Sequence, residues 1–396
     1  MLQKIAIAVT YSATLMALAV GQAAQAVNFD VLASGLNSPR KLTFGPDGLL
    51  YFTEAGTGGA GPCISLRGED YCYGATSTVN RLENGASVSF VTGLPSLALK
   101  SGGSDATGAD DIAFDSNGNA LVLLGWGGGN QRNSAPEFAQ MGTLIRLNSL
   151  NPGSSWTVIS DLFAFEQTNN PDAQDIDSNP FALTVQGNQV FIADAAANDT
   201  LSAQTDGSNL ALQAVFPNRN VQNPFAPPGT LIPMQAVPTA IAVGTDGASY
   251  VGELTGFPFP QGGANIYRID PSNNQVDTYA TGFTNIVDLK FDGQGNLYVL
   301  EYAANSILSG NPAGALIRLS PKGDRQTLLS DTDGLISPTG LAIGQDGYIY
   351  LSNKGNAAGE GQIVRFAVDV PEPNGSYGLL AFGLLIPLMR KKRNSC

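Results

Sequence analysis

The sequence predicts an all-β, six-bladed β-propeller, and three observations predict it. The 396-residue chain is rich in turn formers, with 47 Gly and 23 Pro, and only 13% of it is charged; its apolar residues fall in short alternating or β-branched runs without a sustained 3.6-residue period. One unit recurs six times: an apolar strand, a Gly-containing turn, and a second apolar strand ending in a polar residue. After most copies comes a third strand ending in an Arg-apolar pair, and often a fourth. Four strands per unit, at intervals of roughly 50 to 70 residues, is the spacing of propeller blades.

The first copy runs through Pro39-Arg40-Lys41-Leu42, turns at Asp47-Gly48 and returns through Leu50 to Glu54. The second holds Asp110-Asp111-Ile112, Asn117-Gly118 and Ala120 to Leu124; the third, Asn179-Pro180-Phe181, Gln186-Gly187 and Val190 to Asp194. Val237-Pro238-Thr239, Asp246-Gly247 and Ser249 to Glu253 make the fourth, and Asn285-Ile286-Val287, Gln294-Gly295 and Leu297 to Glu301 the fifth. Ser337-Pro338-Thr339, Asp346-Gly347 and Tyr348 to Asn353 complete the sixth. The third strands carry Arg81, Arg146, Arg268, Arg318 and Arg365. One Arg at one structural position per blade reads as a set of ion pairs between blades. An orphan strand at 29–33 precedes the first blade, and none is left after Arg365-Phe366. The N-terminal strand is therefore expected to complete the last blade, closing the ring without an open sheet edge. A monomer is expected.

The two ends suggest a compartment. Lys4, an apolar run from Ile5 to Val20, and Ala24-Gln25-Ala26 have the form of a cleavable signal peptide. The alternative, a membrane anchor, would need about 20 apolar residues. At the other end, Val370-Pro371-Glu372-Pro373, an apolar stretch from Tyr377 to Met389 and the cluster Arg390 to Arg393 resemble a PEP-CTERM sorting signal. That resemblance implies an exosortase-type enzyme as partner and a transient membrane contact through the tail. The stretch is short and broken by Pro387, so an unstructured apolar terminus stays open as the other reading. The expected organisation is a signal peptide at 1–26, the propeller at 27–369 and a sorting tail at 370–396. The expected location is the periplasm, the cell surface or an extracellular sheath.

Composition excludes much chemistry. Losing the signal peptide and the residues after Pro373 removes Lys4, Arg390, Lys391, Lys392 and Arg393 and no acidic residue, which takes the net charge from −13 to −18. So acidic a body argues against nucleic acid and anionic lipid as partners. The chain has no histidine, which eliminates Ser-His-Asp and Cys-His catalysis and imidazole-bound metals. Any catalysis must use carboxylates, Lys, Tyr, Arg or a hard cation. Cys63 and Cys72 lie close together in a Gly-rich insertion, and in an oxidising compartment they are expected to form a disulfide.

The insertions carry information the repeat does not. Gly56 to Ile64, Tyr71-Cys72-Tyr73-Gly74, Leu124-Gly125-Trp126-Gly127-Gly128, Asp175 to Phe181, and Gly252 to Pro260 resemble the ScyD/ScyE family, in order and over about 31–366. The family is named for proteins encoded with the cyanobacterial route to scytonemin, an indole-phenol sunscreen pigment of the extracellular sheath. The resemblance implies a propeller acting outside the cytoplasm, in a group whose members also occur without that pathway.

Propeller geometry then says which residues can meet. The start of each inner strand and the end of the next lie on one face, around the channel mouth, and the long insertions leave from that face. This gathers Glu54, Asp111, Asn179, Asp194, Glu253, Asn285 and Glu301, an oxygen-rich set suited to a hard cation such as Ca²⁺, which lactonase-like six-bladed propellers hold there. Backbone capping and general acid/base work are the other readings of the same residues. Trp126, Phe257 and Phe259 are candidates to line a pocket for a small aromatic ligand, or to pack the insertions onto the rim. Three functions stay open: a module binding a small aromatic molecule or an exopolysaccharide, an enzyme of scytonemin-like metabolism, and a cation-dependent enzyme of the lactonase or esterase type.

Overall fold

The computed structural model describes residues 29–368; the expected signal peptide and sorting tail lie outside the described residues. Six antiparallel sheets form the blades of a closed propeller. Their inner strands are Pro39–Phe44, Ala109–Phe114, Pro180–Gln186, Pro238–Val243, Ile286–Phe291 and Gly340–Ile343, each packed on the next and the sixth on the first. The ring closes as expected: Asp30–Leu36 pairs antiparallel with Gly361–Ala367 and is the outer strand of the last blade.

Each junction between blades has its own apolar core, because strands buried on both faces present side chains to two neighbours. Leu42, Leu50 and Phe52 meet Tyr350 and Ile363 at the closing junction. Leu289, Val299 and Leu319 meet Ile266 and Tyr250 between blades four and five. A fully buried side chain of this size contributes about 1.5–3 kcal/mol. Six such interfaces hold the ring without a single central core.

The ion pairs that the blade arginines form lie within their own blades and not between blades as the sequence suggested. Register places Arg81, Arg268, Arg318 and Arg365 opposite Tyr51, Tyr250, Tyr298 and Tyr350 of their own blades. Those tyrosines donate to the turn aspartates Asp47, Asp246, Asp292 and Asp346 at 2.6–3.4 Å. Arg268 pairs with Asp246 at 2.8 Å, and Arg365 with Asp30 of the closing strand at 3.2 Å. Arg318 donates to Gln326 of its own blade, and Arg81 alone of these four reaches into the next one, at Leu150 O, 3.4 Å. The reason is geometric: the turn acid lies on the same sheet, two strands away, and the Tyr hydroxyl bridges the gap. Gly45 and Gly244 are required beside these turns, since a Cβ there would fall within 2.6 Å of the Tyr51 and Tyr250 rings.

Three additions break the repeat. In blade one, Cys63–Leu66 pairs with the long strand Glu69–Glu83, and Cys63 and Cys72, opposite in register, are joined by a disulfide. Helix Leu162–Asn169, capped by the Asp161 side chain on Ala164 N at 2.9 Å, follows blade two. A two-stranded ribbon, Arg219–Gln222 with Leu231–Met234, precedes blade four.

Candidate functional site

The second residue of each inner strand, or the equivalent Thr339, converges on the channel axis. Arg40, Asp110, Phe181, Thr239, Val287 and Thr339 form the floor of a cavity of about 580 Å³ whose walls are the insertions. Arg40 Nε lies 3.3 Å from Asp110 Oδ1. The same guanidinium donates to the carbonyls of Gly355 and Ala106, so it faces a fixed set of acceptors. Thr107 donates to Asp110 Oδ2 at 3.2 Å. Gly125 leaves this corner open, because a Cβ there would sit 2.0 Å from Asp110 Oδ2. Burial raises the Asp110 carboxyl to about 7 against the opposing pull of Arg40. It is a group able to give or take a proton near neutrality.

Beneath this floor lies a second layer. Lys41, almost fully buried, pairs with Asp288 at 3.2 Å, donates to Thr239 O and Val287 O, and stands 5.4 Å from the Phe181 ring centroid. Asp111 and Asp288 each accept the amide of a neighbouring inner strand, from Leu183 N at 2.7 Å and Leu341 N at 2.8 Å. Lys290 reaches Asp288 at 3.7 Å. The channel thus carries Arg40, Lys41 and Lys290 against Asp110, Asp111 and Asp288, a balanced set in place of a ring of carboxylates. Burial lowers Lys41, opposed by Asp288 and Asp111, and raises Asp111 to about 6, opposed by Lys290 and Lys41.

The other residues expected to hold a cation are engaged within the protein. Glu54, Asp194 and Glu301, at the ends of second strands, accept the amides of Asn37, Asn179 and Thr284, which lead into the inner strands of their own blades. Glu253 binds Arg219, Asn265 N and Tyr267 OH. Asn179 Oδ1 accepts from Trp126 N at 3.0 Å, and Asn285 bridges Leu254 O and Ile307 N. Among the described residues no three His, Cys, Asp or Glu side chains come together as a metal-holding group. As placed, the seven are spread over separate blades, and each accepts or donates hydrogen bonds within the protein.

The three aromatic candidates all line the cavity, in different ways. Trp126 is buried among Phe138, Met141 and Phe163, with Nε1 donating to Gly129 O at 2.8 Å, so it shapes the wall. Phe257 is 45% exposed and stacks on Phe225, itself 76% exposed, with centroids 6.1 Å apart. Phe259 meets Phe257 edge-on at 6.3 Å. Phe225, at the tip of the added ribbon, was not singled out from sequence; nor were Arg40, Phe181 and Thr107. Lining up the six copies would have shown Arg40-Lys41 and Asp110-Asp111 at positions where most other blades carry Phe, Thr, Val, Ala or Gly.

No protein-family model and no curated protein sequence matches the chain. Solved structures that resemble it include an oxidoreductase (glucose dehydrogenase) from Thermus thermophilus, at 16% identity over 86% of this chain and 99% of that one, TM-score 0.52. Another is PQQ-bound aldose sugar dehydrogenase from Streptomyces coelicolor, at 14% identity over 85% and 96%, TM-score 0.50. A luciferin-regenerating enzyme aligns at 9% identity over 87% and 96%, TM-score 0.50. Likeness at this level is likeness of fold, and with the sheet order it makes the chain a six-bladed β-propeller.

Proposed function

We propose that this protein is an exported propeller that binds a small ring-bearing organic molecule, or the end of a polymer, on its insertion-covered face. The observation that carries this reading is the cavity itself: an exposed aromatic lip of Phe225 and Phe257 above a floor that offers Phe181 and the Arg40–Asp110 pair. Solvent-exposed stacked aromatics lose water when a flat ring covers them, and the buried ion pair supplies directional polar contacts. The resemblance to the ScyD/ScyE family supports an indole or phenol ring as the ligand class and a role at the cell surface or sheath.

The test is titration calorimetry of the purified protein with indole and phenol compounds, neutral oligosaccharides and simple lactones. Saturable binding of a ring compound, weakened at least tenfold in Arg40→Met, supports the reading. No binding across the panel defeats it. A second reading, an enzyme acting on the bound molecule, is favoured by Asp110 with its carboxyl raised to about 7 at the cavity floor. Turnover of a lactone or ester that disappears in Asp110→Asn while binding persists would establish it.

A further inference from the structure

Between the insertion helix and blade three lies a second group of buried carboxylates, and neither of its two key residues lines the cavity. Glu166 lies in the last turn of helix Leu162–Asn169, and Asp199 opens strand Asp199–Gln204. Both are almost completely buried, and neither carboxylate has a hydrogen-bond donor on either oxygen. Asn170 Oδ1, just past the helix, is also buried and unpartnered, while its Nδ2 donates to Gln174 O at 2.9 Å. The Asn170 amide donates to Glu166 O at 2.8 Å, the backbone bond that closes the helix at its C-cap.

The electrostatics around this group are one-sided. Asp199 stands directly opposite Asp194 in the strand register, a like-charge pairing that is destabilising unless offset. Asp194 is offset, accepting from Ser178 Oγ and the amides of Asn179, Ala196 and Ala197; Asp199 has no such donors. The charged neighbours that perturb Glu166 are Asp194, Asp172 and Asp177, and those that perturb Asp199 are Asp194, Glu166 and Asp172, all acidic. The helix end adds negative partial charge, with no basic residue in its last turn. Two desolvated carboxylates and an amide oxygen without donors cost free energy that nothing among the described residues repays.

We propose that Glu166, Asp199 and the side-chain oxygen of Asn170 bind a hard divalent cation of the calcium type, with backbone carbonyls or water completing the shell. Calcium takes six to eight oxygen ligands and accepts carboxylate, amide and carbonyl donors together. The bound ion would clamp the insertion helix to the third blade. This inference stands apart from the ligand reading of the cavity.

The experiment uses Ca²⁺ alone as the probe. Metal content is measured after dialysis, and melting is followed in about 5 mM Ca²⁺, about 5 mM Mg²⁺ or EGTA, a range that covers extracellular calcium modules. The expected result is one bound calcium per chain and a melting temperature about 4 °C higher in Ca²⁺ than in EGTA, the size expected near a hundredfold excess over Kd. Glu166→Gln and Asp199→Asn should each remove most of that rise while melting cooperatively in EGTA, and Glu301→Gln should retain it. Equal melting in Ca²⁺ and EGTA with no bound metal overturns the proposal, leaving the two carboxyls protonated. A response lost in Glu301→Gln but kept in Glu166→Gln also overturns it, placing the ion at the channel mouth. An equal response to Mg²⁺ would contradict the calcium type.

Discussion

The channel and the third blade both bury carboxylates, and they resolve the cost in opposite ways. In the channel, Asp110, Asp111 and Asp288 face Arg40, Lys41 and Lys290, and Asp111 and Asp288 also accept backbone amides from adjoining strands. On the insertion helix and in blade three, Glu166 and Asp199 have only other acids as charged neighbours. The difference teaches that burial alone does not define a site. A carboxylate whose partners are all internal is structural, whereas one with free lone pairs and no cation calls for something from outside.

Removing charge should therefore have opposite signs in the two regions, and the largest effect belongs to the channel. Lys41→Met leaves Asp288 buried without its nearest cation and should destabilise by about 3–5 kcal/mol, read by chemical denaturation. Adding Asp288→Asn should recover part of the loss. If Lys41→Met unfolds at the wild-type midpoint, the channel network is not structural.

The pH dependence is next in size. Burial raises Asp110, Glu166 and Glu301 each to about 7. The folded protein then retains protons that the unfolded chain releases from about pH 4 upward. Stability conferred by these groups is fully present below their unfolded values and falls as pH rises through about 7. Melting in EGTA should thus drop steadily from pH 4.5 to 7.5. A rise over that window would refute the assignment of raised carboxyls.

The smallest effect is a gain. In EGTA, Glu166→Gln should raise the melting temperature by about 2 °C, since a neutral amide of the same shape relieves repulsion from Asp194 and Asp172, a change of roughly 1 kcal/mol. The equivalent change in the channel, Asp288→Asn, should lower it, because Lys41 and Lys290 both lose the carboxylate they pair with. Shifts of the same sign would erase the distinction between the two regions.

Much of the fold was legible because propeller information is local and repeated. Strand, turn and return lie within 14 to 16 consecutive residues, and the orphan strand at the N-terminus has a complementary gap beside Gly361–Ala367. The arginines were misread because a repeat gives a position but not a direction: the Tyr–Asp pair that receives Arg268 lies in its own blade. The channel floor was harder to see because its contacts are distant in sequence. Arg40 meets Asp110, and Lys41 reaches Val287 and Asp288, across the ring, where no periodicity links them. Phe225 was missed because a lone aromatic in a Pro- and Asn-rich loop has no pattern around it. Only the added ribbon brings it onto Phe257.

That lip supplies the most direct test of the central claim, that the insertion-covered face is the binding site. Titration of a ring compound into the wild type and into a Phe225→Ala, Phe257→Ala double variant compares affinity on the same scaffold, since Phe225 is 76% and Phe257 45% exposed. The expected result is at least a tenfold loss of affinity, about 1.4 kcal/mol, with the melting temperature held. Undiminished binding in the double variant would contradict the claim.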